Sequence, residues 1–390
     1  MKAFLAVTHL LGAGHLTRAA AIARAFVSAG HEATLVSGGS PSALIDLSGC
    51  RFVQLPPVRS LVGDLATLRD DAGRPVGPDH LKARRDLLLA SFAAVEPDVV
   101  LTELFPFGRR ALAPEFLALV TAVESARPRP ALICSIRDIL VTPTRSAKVE
   151  ASHDCVERSY DAVFVHGNEE LVPLEASWPV DPRLRRRLTY TGYVGPDWCP
   201  VGSPDTSRDG PILVSGGSSA ASLPLYRAAL RAAPLLPDRH WRVLIGTGVD
   251  EAAFQDLAHA TPVNVTLQRA RADFRDLLSK AAVFVGQAGY NTVMDIIATQ
   301  ARTVLVPFEQ GRETEQRLRA EALAARGLVT LLPEAKLDGP SLVRAAGETL
   351  TRKRPNSAGI RLDGAAVTVR RTEELLLTRN RTLRASEASR

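Results

Sequence analysis

Apolar positions fall in short β-branched runs separated by stretches with helical spacing, from one end of the chain to the other. In the first half the runs predict strands at Ala3–His9, Ala33–Ser37, Arg51–Leu55, Asp98–Glu103, Ala131–Arg137 and Ala162–His166. Between them, Leu16–Ala29 is predicted to be a helix stopped by Gly30, and a second helix starts near His80 and reaches Ala94. Val99-Val100-Leu101 and Val163-Phe164-Val165 are apolar on both faces, as in a buried parallel sheet. Prolines and glycines interrupt the pattern between Tyr193 and Gly210, which reads as a linker. Strands are then expected at Ile212–Ser215, Arg242–Gly246, Val263–Leu267, Val283–Gly286, Thr303–Phe308 and Leu328–Leu332, with helices at Thr292–Thr299 and Thr314–Arg326. Gly364–Thr378 reads as a last helix and Arg379–Arg390 as a frayed basic tail.

Two such halves predict an α/β chain of two doubly wound, Rossmann-like domains facing each other across a cleft. The expected boundaries are 1–195, a hinge over 196–210, 211–351, and a closing segment 352–390 that packs back on the first domain.

Composition narrows the classes. At 390 residues, 46% hydrophobic and 23% charged, the chain is globular rather than disordered. It has no apolar run near the ~20 residues of a membrane-spanning helix. Met1–Thr8 reads as a first strand rather than a signal peptide, so the expected compartment is the cytoplasm. Cys50, Cys134, Cys155 and Cys199 are scattered, which argues against a zinc ribbon or disulfide framework. The net charge of +6 is carried mainly by arginines. Solvated faces account for runs such as Arg183–Arg187 and Arg370-Arg371; an anionic membrane surface is the functional alternative. Nucleic acid is disfavoured by 5% aromatics and the absence of a recognition module.

Ligands of open α/β sheets bind beyond the carboxyl ends of the strands, so the strand-ending residues carry the candidate chemistry. Gly12, Gly14 and His15 form the first turn, where glycines admit a ligand to the backbone and a helix N-terminus keeps imidazole neutral. A turn-capping histidine is the structural alternative. The third glycine of a dinucleotide fingerprint is replaced by Thr17, and no acid follows the second strand, which argues against an NAD site. Glu103, and the Arg137-Asp138 pair, end two further strands; a carboxylate at either place would orient His15 or act as the base itself. An Arg137–Asp138 pair that merely holds a loop is the competing reading. Residues 57–77 and Phe105–Arg110, including Arg109, are expected to line the ligand site of the first domain.

In the second half, Gly216, Gly217, Ser218 and Ser219 have the form of an anion-binding loop between strand and helix. Gln287, Ala288, Gly289, Asn291 and Thr292 open another helix, with Asp295 one turn beyond Asn291, so both can face a ribose diol. Glu315 and Gln316 open a third. No Asp-x-Asp occurs, so a metal-bridged diphosphate has no visible ligands and no cofactor or metal is expected.

The Gly12–His15 turn, the Gly216–Ala220 loop, Gln287–Asp295 and Val306–Gln316 occur in the order and spacing of a two-domain GT-B glycosyltransferase. The chain resembles the MurG-like, family 28 group, and within it a branch of bacterial glycosyltransferases sharing Phe105–Arg110, Ser135–Asp138, Tyr190–Tyr193 and Gln287–Asp295. The resemblance implies an inverting, metal-independent transfer from a nucleotide-diphosphate sugar, such as a UDP-N-acetylhexosamine, to an acceptor hydroxyl. It implies that Gly216–Ser219, Ala288, Gly289 and Thr292 contact phosphate, and that backbone near Arg269 reads the base. It further implies that Asp295 grips ribose where the family has Glu, that Glu315 and Gln316 meet the donor sugar, and that His15 activates the acceptor. A sugar-nucleotide hydrolase, a 2-epimerase and a non-catalytic nucleotide-sugar-binding scaffold are the alternatives, separable by acceptor dependence and by His15→Ala.

Overall fold

The computed structural model describes residues 1–42, 45–61, 64–196, 209–217, 220–310, 314–357 and 359–388. The chain divides into two units, Met1–Val194 with Asp363–Arg390, and Gly195–Leu362. The expected linker lies mostly in 197–208, and Ser218, Ser219 and Cys199 also fall outside the described residues.

The first unit is built on β1 (Lys2–Val7), β2 (Glu32–Ser37), β3 (Arg51–Gln54), a small antiparallel pair β4 (Arg59–Leu61) and β5 (Asp64–Arg69), then β6 (Val99–Glu103), β7 (Ala131–Arg137), β8 (Ala162–His166) and β9 (Leu188–Tyr190). Its seven-stranded parallel sheet runs β3-β2-β1-β6-β7-β8-β9. Strand order reverses between β1 and β6, which creates a switch-point crevice at their carboxyl ends. The crossover helices are α1 (Gly14–Ser28), α2 (Pro78–Val95), α3 (Ala113–Ser125), α4 (Ser146–Ser159) and the short α5 (Pro182–Arg185). One sheet face carries Ala3, Leu5 and Val7 of β1, Val99 and Leu101 of β6, Ala131 and Ile133 of β7, and Ala162 and Phe164 of β8, all packed with α1.

The second unit begins with β10 (Ile212–Ser215), β11 (Trp241–Ile245), β12 (Val265–Arg269), β13 (Val283–Gly286), β14 (Thr303–Leu305) and β15 (Thr330–Leu331), ordered β12-β11-β10-β13-β14-β15 and parallel throughout. Its switch point lies between β10 and β13. The helices are α6 (Leu223–Ala232), α7 (Glu251–His259), α8 (Phe274–Lys280), α9 (Tyr290–Thr299), α10 (Glu315–Ala325) and α11 (Gly339–Thr351). Trp241, Val243 and Ile245 are wholly buried with Tyr226, Ala228 and Ala229 of α6.

The closing segment differs from expectation. Residues up to Leu362 stay with the second unit, where the Leu362 carbonyl accepts from the Gly195 N–H at 3.0 Å. The last helix, α12 (Gly364–Ala388), packs on α1 in the first unit and does not stop at Thr378. Arg379, expected to open a frayed tail, donates to the Arg129 carbonyl at 3.1 Å and lies 3.4 Å from the Asp161 carboxylate. That anchor extends the helix through residues of high helical propensity.

Among elements the apolar pattern did not predict, the β4–β5 pair carries too many polar residues for alternation, and the Ser60 N–H ties it to the Leu10 carbonyl at 2.8 Å. Arg84 of α2 is wholly buried and makes a two-pronged ion pair with Glu115 of α3, both bonds at 2.9 Å. The Arg183–Arg187 run is matched by acids: Arg183 pairs with Glu150, Asp154 and Asp181, and Arg185 with Glu169 and Glu175. No helix of the described residues is long and apolar enough to cross a membrane.

Candidate functional site

At the first switch point, α1 starts at Gly14, so His15 stands in its first turn without an acidic neighbour there. Glu103 ends β6 on the other side of the crevice. The His15 Nδ1–H donates to Glu103 Oε1 at 2.8 Å. Arg18, one helical turn after His15, is 3% exposed and ion-pairs with the same carboxylate oxygen. Because a proton on Nδ1 goes to Glu103, the tautomer leaves Nε2 as a bare acceptor. That nitrogen has no protein partner among the described residues.

Glu103 Oε2 accepts from the Ser135 hydroxyl at 2.7 Å, and Ser135 Oγ lies 2.9 Å from Nε2 of His166. His166 Nδ1 lies 2.8 Å from the Thr191 hydroxyl. The arginine beside it holds the Glu103 carboxyl well below the usual range, against its burial. Burial, with Arg109 nearby, brings His15 down to about 3; burial, with Arg18, does the same to His166. Both rings are neutral at pH 7.

These shifts make the fold acid-labile. Unfolded, both histidines titrate near 6.5, so between pH 6.5 and about 3 the unfolded chain binds more protons than the folded one. Their contribution is fully present above pH 6.5 and is lost as the pH falls towards 3. Urea midpoints should be level from pH 8 to 7 and decline below 6.5, with a shallower decline in His166→Gln. An equal decline in that variant would remove His166 as a source.

Arg109 follows the Leu104–Gly108 turn and has left-handed backbone, φ 61°, as does Leu104 at 70°. Two such non-glycine residues beside the site store strain where the chain turns sharply. The Arg109 Nε donates to the Thr8 carbonyl, fixing the guanidinium over the β1 end. Burial lowers Arg109 to about 10, which leaves it a cation facing Glu103, Arg137 and Arg18. The other expected lining is corrected: Phe105 and Phe107 are core rings, stacked on Phe116 at 5.0 Å and edge-on to Trp178 at 5.2 Å. An aromatic run next to a buried sheet gains more from that contact than from exposure. Asp138 is wholly buried; it accepts from the Ile139 N–H at 2.9 Å and faces the Tyr193 hydroxyl at 3.4 Å, while Arg137 donates to the Ile139 carbonyl at 3.0 Å. Both therefore hold the β7 turn in place.

In the second unit, the Tyr226 hydroxyl accepts from the N–H groups of Gly216 and Gly246, at 3.1 and 3.3 Å. Ser222 donates to the Gly216 carbonyl at 2.6 Å and approaches Gln287 Oε1 at 3.1 Å. A Cβ on Gly216 would sit 2.2 Å from Ser222, so the turn requires glycine there; Gly217 supplies the left-handed step at φ 75°. Across the switch point, Gly289 caps α9, and a Cβ there would meet nothing within 4 Å. The N–H groups of Asn291 and Thr292 open that helix with no acidic side chain in its first turn. This is the electrostatic setting that favours an anion.

Gln316 joins two loops, its Oε1 accepting from the Ala288 and Phe308 N–H groups at 3.1 Å each. Its amide nitrogen has no protein partner among the described residues. Glu315 is turned inward, 6% exposed, and pairs at 2.8 Å with wholly buried Arg319, whose other prong reaches the Ala288 carbonyl. Asp295 is also less open than a ribose ligand was expected to be. Its Oδ1 is paired with Arg275 Nε at 2.6 Å, since a carboxylate this buried needs a cation. Arg269 ends edge strand β12, its side chain held by Glu251 and lying 4.2 Å from the Phe254 ring. Because the next N–H, that of Ala270, bonds to Ile245, alternation turns the Arg269 backbone towards the unpaired edge.

Sequence reasoning gave no role to Arg18, Ser135, His166 or Thr191, although Ser135 and Thr191 lie in segments that carry the resemblance. Glu103 and Ser135 are register partners on β6 and β7, and Arg137 pairs with His166 on β8. The signal was available: Val99-Leu101-Glu103, Ala131-Ile133-Ser135 and Ala162-Phe164-His166 are same-face series that each end in a polar residue.

Residues 211–360 match the glycosyltransferase family 28 C-terminal domain. A UDP-N-acetylglucosamine–N-acetylmuramyl-(pentapeptide) pyrophosphoryl-undecaprenol N-acetylglucosamine transferase of Synechococcus sp. (strain CC9605) is 27% identical over 42% of the chain and 44% of its own length. The chain thus spans about half the length of the first curated relatives it matches. The enzyme of that name from Rhodospirillum centenum is 26% identical over 88% of the chain and 84% of its own length. The crystal structure of Acinetobacter baumannii MurG superposes with a TM-score of 0.55 at 16% identity, covering 96% of this chain and 98% of that one. The second unit thus carries a glycosyltransferase family 28 C-terminal domain, and the two parallel, Rossmann-like sheets are similar in fold to MurG.

Proposed function

We propose that the chain transfers a sugar from a nucleoside-diphosphate donor, of the UDP-N-acetylhexosamine kind, to a hydroxyl of an acceptor, with inversion and without a metal. The observation that carries this reading is the His15–Glu103 pair, which leaves a neutral imidazole nitrogen bare at a switch point. In the proposed step the acceptor O–H gives its proton to His15 Nε2 while its oxygen bonds to the anomeric carbon. The bond from that carbon to the diphosphate oxygen breaks from the opposite face, and its electron pair leaves with the diphosphate. Glu103 stabilises the imidazolium that results. Backbone N–H groups after Gly216 and at the α9 N-terminus supply preorganised stabilisation of the leaving diphosphate. Asp295 Oδ2, which has no protein partner among the described residues, and the Arg269 backbone are the proposed contacts to ribose and base, and the Gln316 amide nitrogen the contact to the sugar. The acceptor is a hydroxyl compound whose anionic groups, where it has them, would meet Arg109. Contact with an anionic membrane is not part of this reading, because acids match the Arg183–Arg187 run.

Thermal unfolding in EDTA with UDP, GDP, dTDP, NAD and UDP-sugars tests the donor site. At a hundredfold excess over its dissociation constant a ligand stabilises by ~2.7 kcal/mol. A shift with UDP or UDP-sugars and none with NAD is expected, with turnover insensitive to the chelator. Silence with every nucleotide would remove the donor site, and loss of turnover in EDTA would remove metal independence. Release of UDP at the same rate with and without acceptor would make the enzyme a hydrolase instead.

A further inference from the structure

The Glu103 carboxylate is gripped from two sides, and the side facing away from His15 has no part in the proton transfer above. Four parallel strands contribute one residue each to a buried row: Glu103 at the end of β6, Ser135 on β7, His166 at the end of β8, and Thr191 directly after β9. Ser135 and His166 are 3% and 0% exposed, and Thr191 is 1% exposed. The proton positions along the row follow from its ends. An ionised Glu103 only accepts, so the Ser135 hydroxyl donates to Oε2 at 2.7 Å. Ser135 Oγ then accepts from the His166 Nε2–H at 2.9 Å. A neutral His166 has a bare Nδ1, which accepts from the Thr191 hydroxyl at 2.8 Å. Every donor in the row points towards Glu103, and no second arrangement of protons satisfies an ionised carboxylate and a neutral ring together.

We infer that Ser135, His166 and Thr191 are positioning residues that hold the Glu103 carboxylate turned to His15 Nδ1, and so set the His15 tautomer with Nε2 bare. The inference rests on His15 acting as the base in the proposed reaction. The charged groups facing the pair are Arg18 from α1 and Arg109 from the turn after β6, with Arg137 at the end of β7 facing Arg109. These cations repel imidazolium, so without a fixed carboxylate the ring has no reason to keep its proton on Nδ1. Ser135 is thus a hinge point: losing its hydroxyl leaves Oε2 unpaired in a buried place, and the carboxylate is free to turn towards the arginines.

Nitrogen-15 NMR of the histidine rings in the ligand-free full chain reads this without any turnover. The wild type should show His15 with its proton on Nδ1. Ser135→Ala should show a mixed tautomer, and Ser135→Thr, which keeps the hydroxyl, should restore the wild-type pattern. His166→Gln retains an N–H donor for Ser135 and an acceptor for Thr191, and should resemble the wild type; His166→Leu should behave like Ser135→Ala. In kinetics, Ser135→Ala and His166→Leu should lower kcat about tenfold to a hundredfold, as misplaced catalytic groups do, with the KM for donor unchanged. An unaltered His15 tautomer in a folded Ser135→Ala would overturn the inference, and so would a kcat loss that Ser135→Thr fails to rescue. If the tautomer responds as expected but no nucleotide sugar is turned over by the wild type, the positioning holds and the transferase reading fails.

Discussion

Replacing His15 by alanine is expected to lower kcat by a factor of 10² to 10⁴, the usual contribution of a positioned general base, with donor affinity retained. The physical reason lies in two features of the first unit. The ring is neutral throughout the physiological range because burial and the Arg109 cation disfavour its charged form. Its Nδ1–H is committed to Glu103, which leaves one nitrogen to take a proton. Donor affinity should survive because the groups proposed to hold the diphosphate belong to the second unit. Glu103→Gln should also cut kcat strongly: the neutral amide cannot stabilise imidazolium, and Arg18 would lose its buried partner. Steady-state kinetics with a UDP-sugar, beside calorimetric titration with UDP, separates the two effects. A His15→Ala enzyme running close to the wild-type rate would end the role of His15. If Glu103→Gln were then inactive, Glu103 would be the base.

Glu115→Ala should be the most destabilising single change in the first unit, costing about 3–5 kcal/mol, as expected when one partner of a buried ion pair is removed. Arg84 is 0% exposed, and both of its bonds to Glu115 are 2.9 Å long. Its remaining partners are the carbonyls of Gly38 and Pro56 and the Thr8 hydroxyl, which accept hydrogen bonds and carry no full charge. The guanidinium therefore stays buried with its charge uncompensated. Those same partners tie the pair to the segments after β1, β2 and β3, so the damage should spread to the first switch point. Replacing both residues with apolar ones of similar volume, Arg84→Met with Glu115→Leu, should recover much of the loss. Urea unfolding at pH 7 measures both variants. A single variant within about 1 kcal/mol of the wild type would mean that the carbonyls alone satisfy Arg84.

The alternation of strand and helix was legible in the chain because every central strand is buried on both faces and therefore reads as a continuous apolar run. Ile212–Ser215, Val283–Gly286, Ala131–Arg137 and Ala162–His166 match their predicted limits. The two glycine-bearing turns at Gly216 and Gly289 were legible for a related reason: a chain that must bend between strand and helix leaves glycine where a Cβ has no room or a ligand needs access. The β4–β5 pair and β9 were not legible, since short edge elements carry no periodic signal. Nor was the full length of α12, which Arg379 extends through a contact with Asp161 and Arg129, far away in sequence.

The sequence by itself determined a doubly wound α/β chain, the strand ends at which its chemistry stands, and His15 and Glu103 as separate candidates. Tertiary structure decided which of those candidates meet. Parallel register lays Glu103 beside Ser135 and carries the row on to His166 and Thr191, while α1 brings His15 and Arg18 over the same carboxylate. It also turned Glu315 inward to Arg319, gave Asp295 to Arg275, and buried the rings of Phe105 and Phe107. The physical reason is the same in each case. Apolar periodicity is written residue by residue in the chain, whereas the partner of a buried charge is fixed only when strands from distant parts of the sequence are set in register.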